Sequence, residues 1–146
     1  MDKKFSVLIN NKIKRFNKTI SVESDKSCSH RALLIGAVCI GPSRIKNLLE
    51  SQDVKNTVEC LKALKVKILK KNKTYIICGN GLGSLQQPKN NKLYVGNSGT
   101  LARLLCGLIA TNPNLKIKIL GDKSMNKRDM LRVIDPLQKI GCFFYP

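Results

Sequence analysis

An apolar run at residues 32–40 constrains the fold of this chain more than any other feature of its sequence. The run has no polar face, which is typical of a helix that is buried on all sides. Because a helix N-terminus is already electropositive, each cation placed there is unfavourable by about 0.3–1 kcal/mol. The start of this predicted helix is nevertheless crowded with polar and basic side chains, and the cations among them need a compensating negative group: Lys26, Ser27, Ser29, His30 and Arg31.

Two further predicted helices, at residues 98–110 and 126–140, also begin beside basic residues. Free backbone N–H groups at a helix start bind phosphate or carboxylate readily. Arg adds paired hydrogen bonds, Lys adds a mobile charge, and Gly lets an anion approach the backbone closely. Three such starts in one chain predict an anionic ligand. The residues at the second and third starts are Asn97, Ser98, Gly99, Thr100, Arg103, Lys127 and Arg128.

Several of these residues also have an ordinary structural interpretation, and Asn97-Ser98-Gly99 is also suited to a simple strand-to-helix turn. Ser27 and Ser98 are suited to cap a helix. Lys26 and Arg31, taken separately, are typical of solvated surface residues. His30 is interpreted as a partly buried polar residue and not as a catalyst. No Walker A loop and no G-x-G-x-x-G helix opening is present in the sequence. The prediction of an anionic ligand therefore depends on finding three helix starts with basic residues in one chain.

Short strands and helices alternate along the chain, which predicts an α/β domain. The sequence LLIG at residues 33–36 recurs approximately as LLCG at residues 104–107, and a strand and a second helix follow each copy. Helices are predicted at residues 28–40, 54–64, 98–110 and 126–140, with Gly41-Pro42 as a stop signal and an interruption near Pro136. Strands are predicted at residues 5–9, 18–22, 43–49, 92–96 and 115–120, with a hairpin at residues 66–80.

The formal charge of +18, from 27 basic and 9 acidic residues, makes a basic nucleic-acid-binding module an alternative function. The basic residues are mostly Lys and lack aromatic interleaving, which is more typical of a solvated surface.

The longest apolar run is shorter than the ~20 residues of a bilayer span, and no secretion signal is recognised. The six cysteines and single His give no metal-ligand spacing. We interpret the cysteines as reduced, buried thiols of a cytoplasmic protein.

Three motifs in one order resemble a known family. The strings DKSCSHRALLIGA, GNSGTLARLL and GDKSMNKRDMLRVIDPL are similar to the N-terminal lobe of EPSP synthase (3-phosphoshikimate 1-carboxyvinyltransferase), as is NLLESQDVKNTVECLKAL. The similarity spans residues 22–141. The related UDP-N-acetylglucosamine enolpyruvyl transferases are a weaker match, because they lack the first two motifs. The resemblance implies the inside-out α/β barrel of the enolpyruvyl transferases, built from repeated βαβαββ units.

The resemblance also implies a domain division and a reaction. Residues 1–20 would form strands that pack with the second lobe, and residues 21–146 an incomplete first lobe. The family moves the enolpyruvyl group of phosphoenolpyruvate to shikimate 3-phosphate and releases phosphate, in the shikimate pathway to aromatic amino acids. It uses no metal and no organic cofactor. Both substrates carry a phosphate and a carboxylate, which would supply the anions that the basic helix starts lack.

Matching positions imply specific roles for the motif residues. Lys26 would contact both substrates and assist proton transfer, as the catalytic residue in this lobe. Shikimate 3-phosphate would be held by Ser27 and Arg31 together with Lys26. Thr100 and Arg103 would support the second helix start without binding substrate. Phosphoenolpyruvate would be held by Lys26, Asn97, Gly99 and Arg128.

The sequence departs from the family pattern in two places and in length. Glu23-Ser24 replaces the usual Pro-Gly, and Asp129 replaces a Pro after Arg128, where it is expected to compete with substrate for that guanidinium. The chain resembles about the first third of a family member, so the second lobe and its Asp general base are missing. We therefore expect the isolated polypeptide to be inactive, and a separate chain that carries the second lobe to be a candidate partner. No membrane association is expected.

Overall fold

The computed structural model describes residues 23–112 and 114–145 of the chain. The predicted strands at residues 5–9 and 18–22, and the proposed boundary at residue 20, lie outside these residues. The described helices are α1 (Lys26–Val38), α2 (Gln52–Ala63), α3 (Gly99–Ala110) and α4 (Leu131–Lys139), with a short 3-10 helix at Met125–Lys127. The strands are β1 (Ile40–Lys46), β2 (Lys67–Lys71), β3 (Thr74–Asn80), β4 (Lys92–Tyr94) and β5 (Lys118–Leu120).

Strands β1, β3 and β2 form an antiparallel sheet in that order. The predicted hairpin is β2–β3, and its turn contains Asn72 in the left-handed region with φ of 53°. Asn tolerates this region because its short side chain can hydrogen-bond locally. Helix α1 packs against β3 and α2, with Leu33, Leu61 and Ile77 fully buried between them. One face of the sheet therefore carries the helix with the basic start.

The predicted stop signal after the first helix is wrong in position. Helix α1 ends at Val38, and both Gly41 and Pro42 lie inside strand β1. Pro42 lacks an N–H group, which is tolerated because β1 is an edge strand of the sheet. Ile40, predicted to be the last buried residue of the helix, is instead 94% exposed at the start of this strand.

Gly79 on strand β3 allows a close approach of the sheet to the end of α1. A Cβ atom at this position would lie 2.3 Å from the carbonyl oxygen of Cys39 and 2.4 Å from that of Gly36. Both oxygens belong to the last turn of α1 and its cap, which the backbone holds in place. Glycine is therefore required where this helix meets the sheet.

Strands β4 and β5 are parallel, and α3 connects them. Backbone bonds continue the pairing beyond both strands, from the N–H of Val95 to Leu120 and from the N–H of Asp122 to Gly96. Because the carboxyl ends of parallel strands meet at one edge, the segments that follow β4 and β5 emerge side by side. This topology brings the second and third basic segments of the sequence together.

The third predicted helix start is wrong. Residues 125–127 form a single 3-10 turn, and Arg128 has an extended backbone three residues before α4 begins at Leu131. The side chain of Asp122 accepts a hydrogen bond from the backbone N–H of Met125, at the start of the 3-10 turn. The side chain of Asp129 accepts one from the backbone N–H of Leu131, at the start of α4, so each of the two short elements begins at its own carboxylate. Pro136 lies within α4 and does not interrupt it.

All six cysteines are free, but they are not all buried. Cys28 and Cys39 are exposed, because the first turn and the end of α1 lie at the surface, whereas Cys60 and Cys106 are buried. Burial raises the pKa of the Cys60 thiol to about 12, which makes it unreactive near neutral pH. Within the described ranges, no helix has the length and apolar character needed to cross a membrane.

Asp25, and not Ser27, caps helix α1. Its carboxylate accepts a hydrogen bond from the backbone N–H of Cys28 at 2.6 Å. This bond, aided by the charge of Arg31, holds the pKa of Asp25 below its ordinary value of 3.8. A depressed pKa means that the unfolded chain takes up the proton first, so the stabilising effect is present above pH 3.8 and is lost as pH falls through the folded-state pKa.

We therefore expect Asp25→Asn to lower the melting temperature at pH 7, because the neutral amide still caps the helix but loses the favourable charge at its N-terminus. The difference between the two proteins should shrink as the pH falls through the lowered folded-state pKa of Asp25, and disappear once Asp25 is also protonated in the folded protein. Thermal melts of both proteins from pH 7 to pH 2.5 measure this. A difference that does not change with pH would show that the charge of Asp25 contributes nothing.

Candidate anion-binding site

A polar cleft of about 360 Å³ lies where α1, α2, α3 and the segment after β5 meet. Ligand sites of small molecules commonly have this size. The cleft contains at least one singled-out residue from each of the three basic segments. Its lining residues are Lys26, Asp53, Asn97, Ser98, Gly99, Thr100, Arg103 and Arg128.

The start of α3 forms the floor of the cleft. Ser98 is 2% exposed and its hydroxyl accepts from the backbone N–H of Leu101, which confirms Ser98 as the helix cap. The N–H groups of Gly99 and Thr100 are in the first turn and have no partner within the helix. Gly99 and Thr100 line the same cleft as the basic side chains, so an anion there can be bound by backbone and side chains together.

Arg128 is held beside this helix start by Asn97. Its Nη2 donates to the side-chain oxygen of Asn97 at 2.5 Å. A Cβ atom at Gly99 would lie 2.8 Å from Nη1 of Arg128, so the absence of a side chain at Gly99 makes room for the guanidinium. Asn97, Gly99 and Arg128, which the sequence predicts as one ligand set, are therefore brought together.

Arg103 extends the basic wall of the cleft. Its Nη2 donates to the backbone carbonyl of Asp129 at 3.4 Å, and its Nε is buried without a partner among the described residues. The sequence predicts Arg103 as a supporting residue, and the bond to Asp129 joins its side chain to the segment that follows Arg128. The carboxylate of Asp129 does not pair with Arg128, contrary to expectation, because it accepts from the backbone N–H of Leu131.

Lys26 reaches the cleft from the first residue of α1. Its Nζ lies 3.0 Å from Oδ2 of Asp53, in the first turn of α2. Asp53 therefore supplies the negative group that compensates the cation Lys26 at the start of α1. The sequence does not single out Asp53 as a site residue, because acidic residues are common in the first turn of a helix.

A buried contact lies one turn further along the same two helices. Nδ1 of His30 lies 2.7 Å from the hydroxyl of Thr57, and that hydroxyl donates to the backbone carbonyl of Asp53. Since Thr57 has one proton, Nδ1 of His30 carries the hydrogen between them. Burial lowers the pKa of His30, so the imidazole is neutral near pH 7. His30 is completely buried, not partly buried as expected, because α2 covers it.

Ser27 and Arg31 do not line the cleft. They lie four residues apart and therefore share another face of α1. Arg31 is exposed, and its Nη2 donates to Sγ of Cys28 at 3.3 Å. Glu23 is exposed and also lies outside the cleft lining, so it does not oppose an anion there.

Residues 23–112 and 114–145 contribute three cationic side chains and one carboxylate to the lining, and hence an excess of positive charge. Lys26, Arg103 and Arg128 oppose a single acid, Asp53. In the part of the chain that the structure describes, no group of three His, Cys, Asp or Glu residues is arranged to hold a metal ion. The cleft is suited to bind an organic phosphate or carboxylate.

Comparisons with known proteins agree on one family. The family model described as EPSP synthase (3-phosphoshikimate 1-carboxyvinyltransferase) matches residues 10–143. The chain is 43% identical over 123 residues to proteins named 3-phosphoshikimate 1-carboxyvinyltransferase from Streptococcus pyogenes serotypes M2 and M1. The match covers 84% of this chain and 28% of each relative, so the chain spans little more than a quarter of their length.

Solved structures give the same result. EPSP synthase from Acinetobacter baumannii superimposes with a TM-score of 0.74 and 35% identity, over 85% of this chain and 28% of that one. A second structure of EPSP synthase from this organism gives a TM-score of 0.76 and 36% identity, over 84% and 27% of the two chains. The predicted α/β fold of the enolpyruvyl transferases is thereby confirmed.

Proposed function

Because this chain belongs to the EPSP synthase family, we propose that its cleft is the part of the active site that binds the phosphate groups in 3-phosphoshikimate 1-carboxyvinyl transfer. The observation that carries the proposal is the guanidinium of Arg128, held by Asn97 against the start of α3 at Gly99. This arrangement offers paired N–H donors from Arg and free backbone donors to one anion. Family membership favours this function over the nucleic-acid-binding module.

In the proposed reaction the 5-hydroxyl of shikimate 3-phosphate attacks phosphoenolpyruvate. The hydroxyl loses its proton, a C–O bond forms at C2 of phosphoenolpyruvate, and a proton adds to C3, which gives a tetrahedral adduct. The C–O bond to phosphate then breaks, C3 loses a proton so that the double bond is restored, and inorganic phosphate is released. Preorganised cations stabilise the charge that develops on the departing group. Arg128, Asn97 and Gly99 hold phosphoenolpyruvate, and Lys26 contacts both substrates and assists proton transfer.

Ser27 and Arg31 are proposed to hold shikimate 3-phosphate on the neighbouring face of α1. Their position outside the cleft suits a second substrate that lies beside the first, with Lys26 at the boundary between the two. Arg103 and Thr100 support the helix start from the cleft wall. We further propose that a second lobe closes the cleft and supplies the general base, and that the reaction takes place in the cytoplasm.

Isothermal titration of the 146-residue chain tests the proposal. We expect saturable binding of phosphoenolpyruvate and of shikimate 3-phosphate. A phosphate-release assay of the same chain should show no turnover without the second lobe. Absence of binding by either substrate would contradict the proposal, and turnover by the isolated chain would contradict the requirement for a second lobe.

A further inference from the structure

The ion pair between Lys26 and Asp53 occupies the cleft itself. Asp53 is the one acidic side chain that the described residues contribute to the lining, and it is 25% exposed while Lys26 is 49% exposed. An ammonium group has three N–H donors, so Lys26 can donate to Asp53 and still face a ligand. Asp53 is therefore both a partner of Lys26 and a negative charge inside an anion site.

The pair is built into the packing of two helices. Lys26 and His30 lie four residues apart on α1, and Asp53 and Thr57 lie four residues apart on α2, so each pair shares one helix face. The buried bond from His30 to Thr57 fixes the two faces against each other. Thr57 also donates to the backbone carbonyl of Asp53, which ties the buried bond to the first turn of α2.

We infer that Asp53 is the resident counter-ion of the anion site, and that it weakens the binding of phosphate so that the product can leave. The inference rests on the proposed function. In the empty cleft Asp53 offsets the repulsion among the cations. When phosphate occupies the cleft, the like charge of Asp53 opposes it, and Asp53 competes for the ammonium of Lys26. Product release limits the rate of many enzymes, so a lower phosphate affinity favours turnover.

Asp53→Asn tests this inference, because it removes the charge and keeps the shape. Glu50→Gln is the matched control, since Glu50 pairs with Lys70 at the surface with 43% of its side chain exposed and lies outside the cleft lining. Titration with inorganic phosphate at low ionic strength, together with thermal melts at increasing phosphate, gives both affinity and stability. We expect Asp53→Asn to bind phosphate about three- to tenfold more tightly than the unaltered chain, and Glu50→Gln to bind it unchanged.

The outcomes separate this inference from the proposed function. A residue with a merely structural role would lose both stability and affinity on substitution, so tighter binding supports the counter-ion. Equal or weaker binding by Asp53→Asn, with normal binding by the unaltered chain, overturns the inference alone. Absence of binding by both proteins overturns both. If Asp53→Asn does not fold in the absence of phosphate, Asp53 is structural and the inference is overturned, because phosphate restores any destabilised variant whose folded state binds it.

Discussion

Gly79→Ala is expected to lower the free energy of unfolding by about 3 kcal/mol, at the upper end of the range for overpacked sites. The added methyl group would lie within 2.4 Å of two backbone oxygens, those of Cys39 and Gly36, and 3.0 Å from that of Ala37. A flexible side chain could turn away, but these oxygens end helix α1 and cannot move unless the helix leaves the sheet. Since domains are stable by only about 5–15 kcal/mol, the loss should be evident in urea unfolding.

Gly107→Ala is the matched control for this prediction. Gly107 lies inside α3, and a Cβ atom there meets no atom within 4 Å. Alanine is favoured over glycine in a helix by about 1 kcal/mol, so this variant should be more stable than the unaltered chain. Equal stability of Gly79→Ala and the unaltered chain would show that α1 does not pack against β3 as described.

Arg128→Met is expected to weaken the binding of phosphoenolpyruvate by about 10- to 100-fold. Hydrogen bonds to charged groups contribute about 1.5–3 kcal/mol, and Arg128 offers two parallel donors that Met lacks. Methionine replaces the apolar stem of the arginine side chain and lacks the guanidinium group, so Asn97 also loses its donor. Isothermal titration at constant ionic strength measures the change.

Two further variants distinguish a specific contact from a general effect of charge. Arg132→Met makes the same change in net charge on exposed α4, outside the cleft lining, and should leave affinity nearly unchanged. Arg128→Lys keeps the charge but not the planar pair of donors, and we expect an affinity between those of the unaltered chain and Arg128→Met. If Arg128→Met and Arg132→Met lose affinity equally, Arg128 acts only through the overall field of the protein.

Helices and strands could be predicted from the sequence where a single periodic pattern of apolar residues was compatible with only one kind of element. The helix predicted at residues 54–64 corresponds to α2 at Gln52–Ala63, because Val54, Val58 and Leu61 repeat on one face and are buried. The hairpin was predicted for the same reason, from two β-rich runs around a Lys/Asn turn. Ile40 and Pro42 were misplaced because an apolar residue and a proline also suit an edge strand, and only the sheet order reveals the edge.

The ligand residues were partly predictable, and the reason lies in how they are brought together. Asn97, Gly99 and Arg128 belong to recognisable motifs, and the parallel pair β4–β5 places those motifs at one edge. Asp53 could not be found in this way, since its role depends on the packing of α2 against α1. Arg31 matches its motif equally well, yet the turn of the helix directs it away from the cleft.

The burial of His30 between α1 and α2 gives the protein a natural spectroscopic label. The sequence contains a single histidine, so the imidazole nitrogen resonances need no assignment by mutagenesis. A ¹⁵N-labelled sample should show one protonated and one bare ring nitrogen, and both signals should change if α1 separates from α2. Docking of the two helices can thus be followed in solution, with and without substrate, from the signals of one side chain.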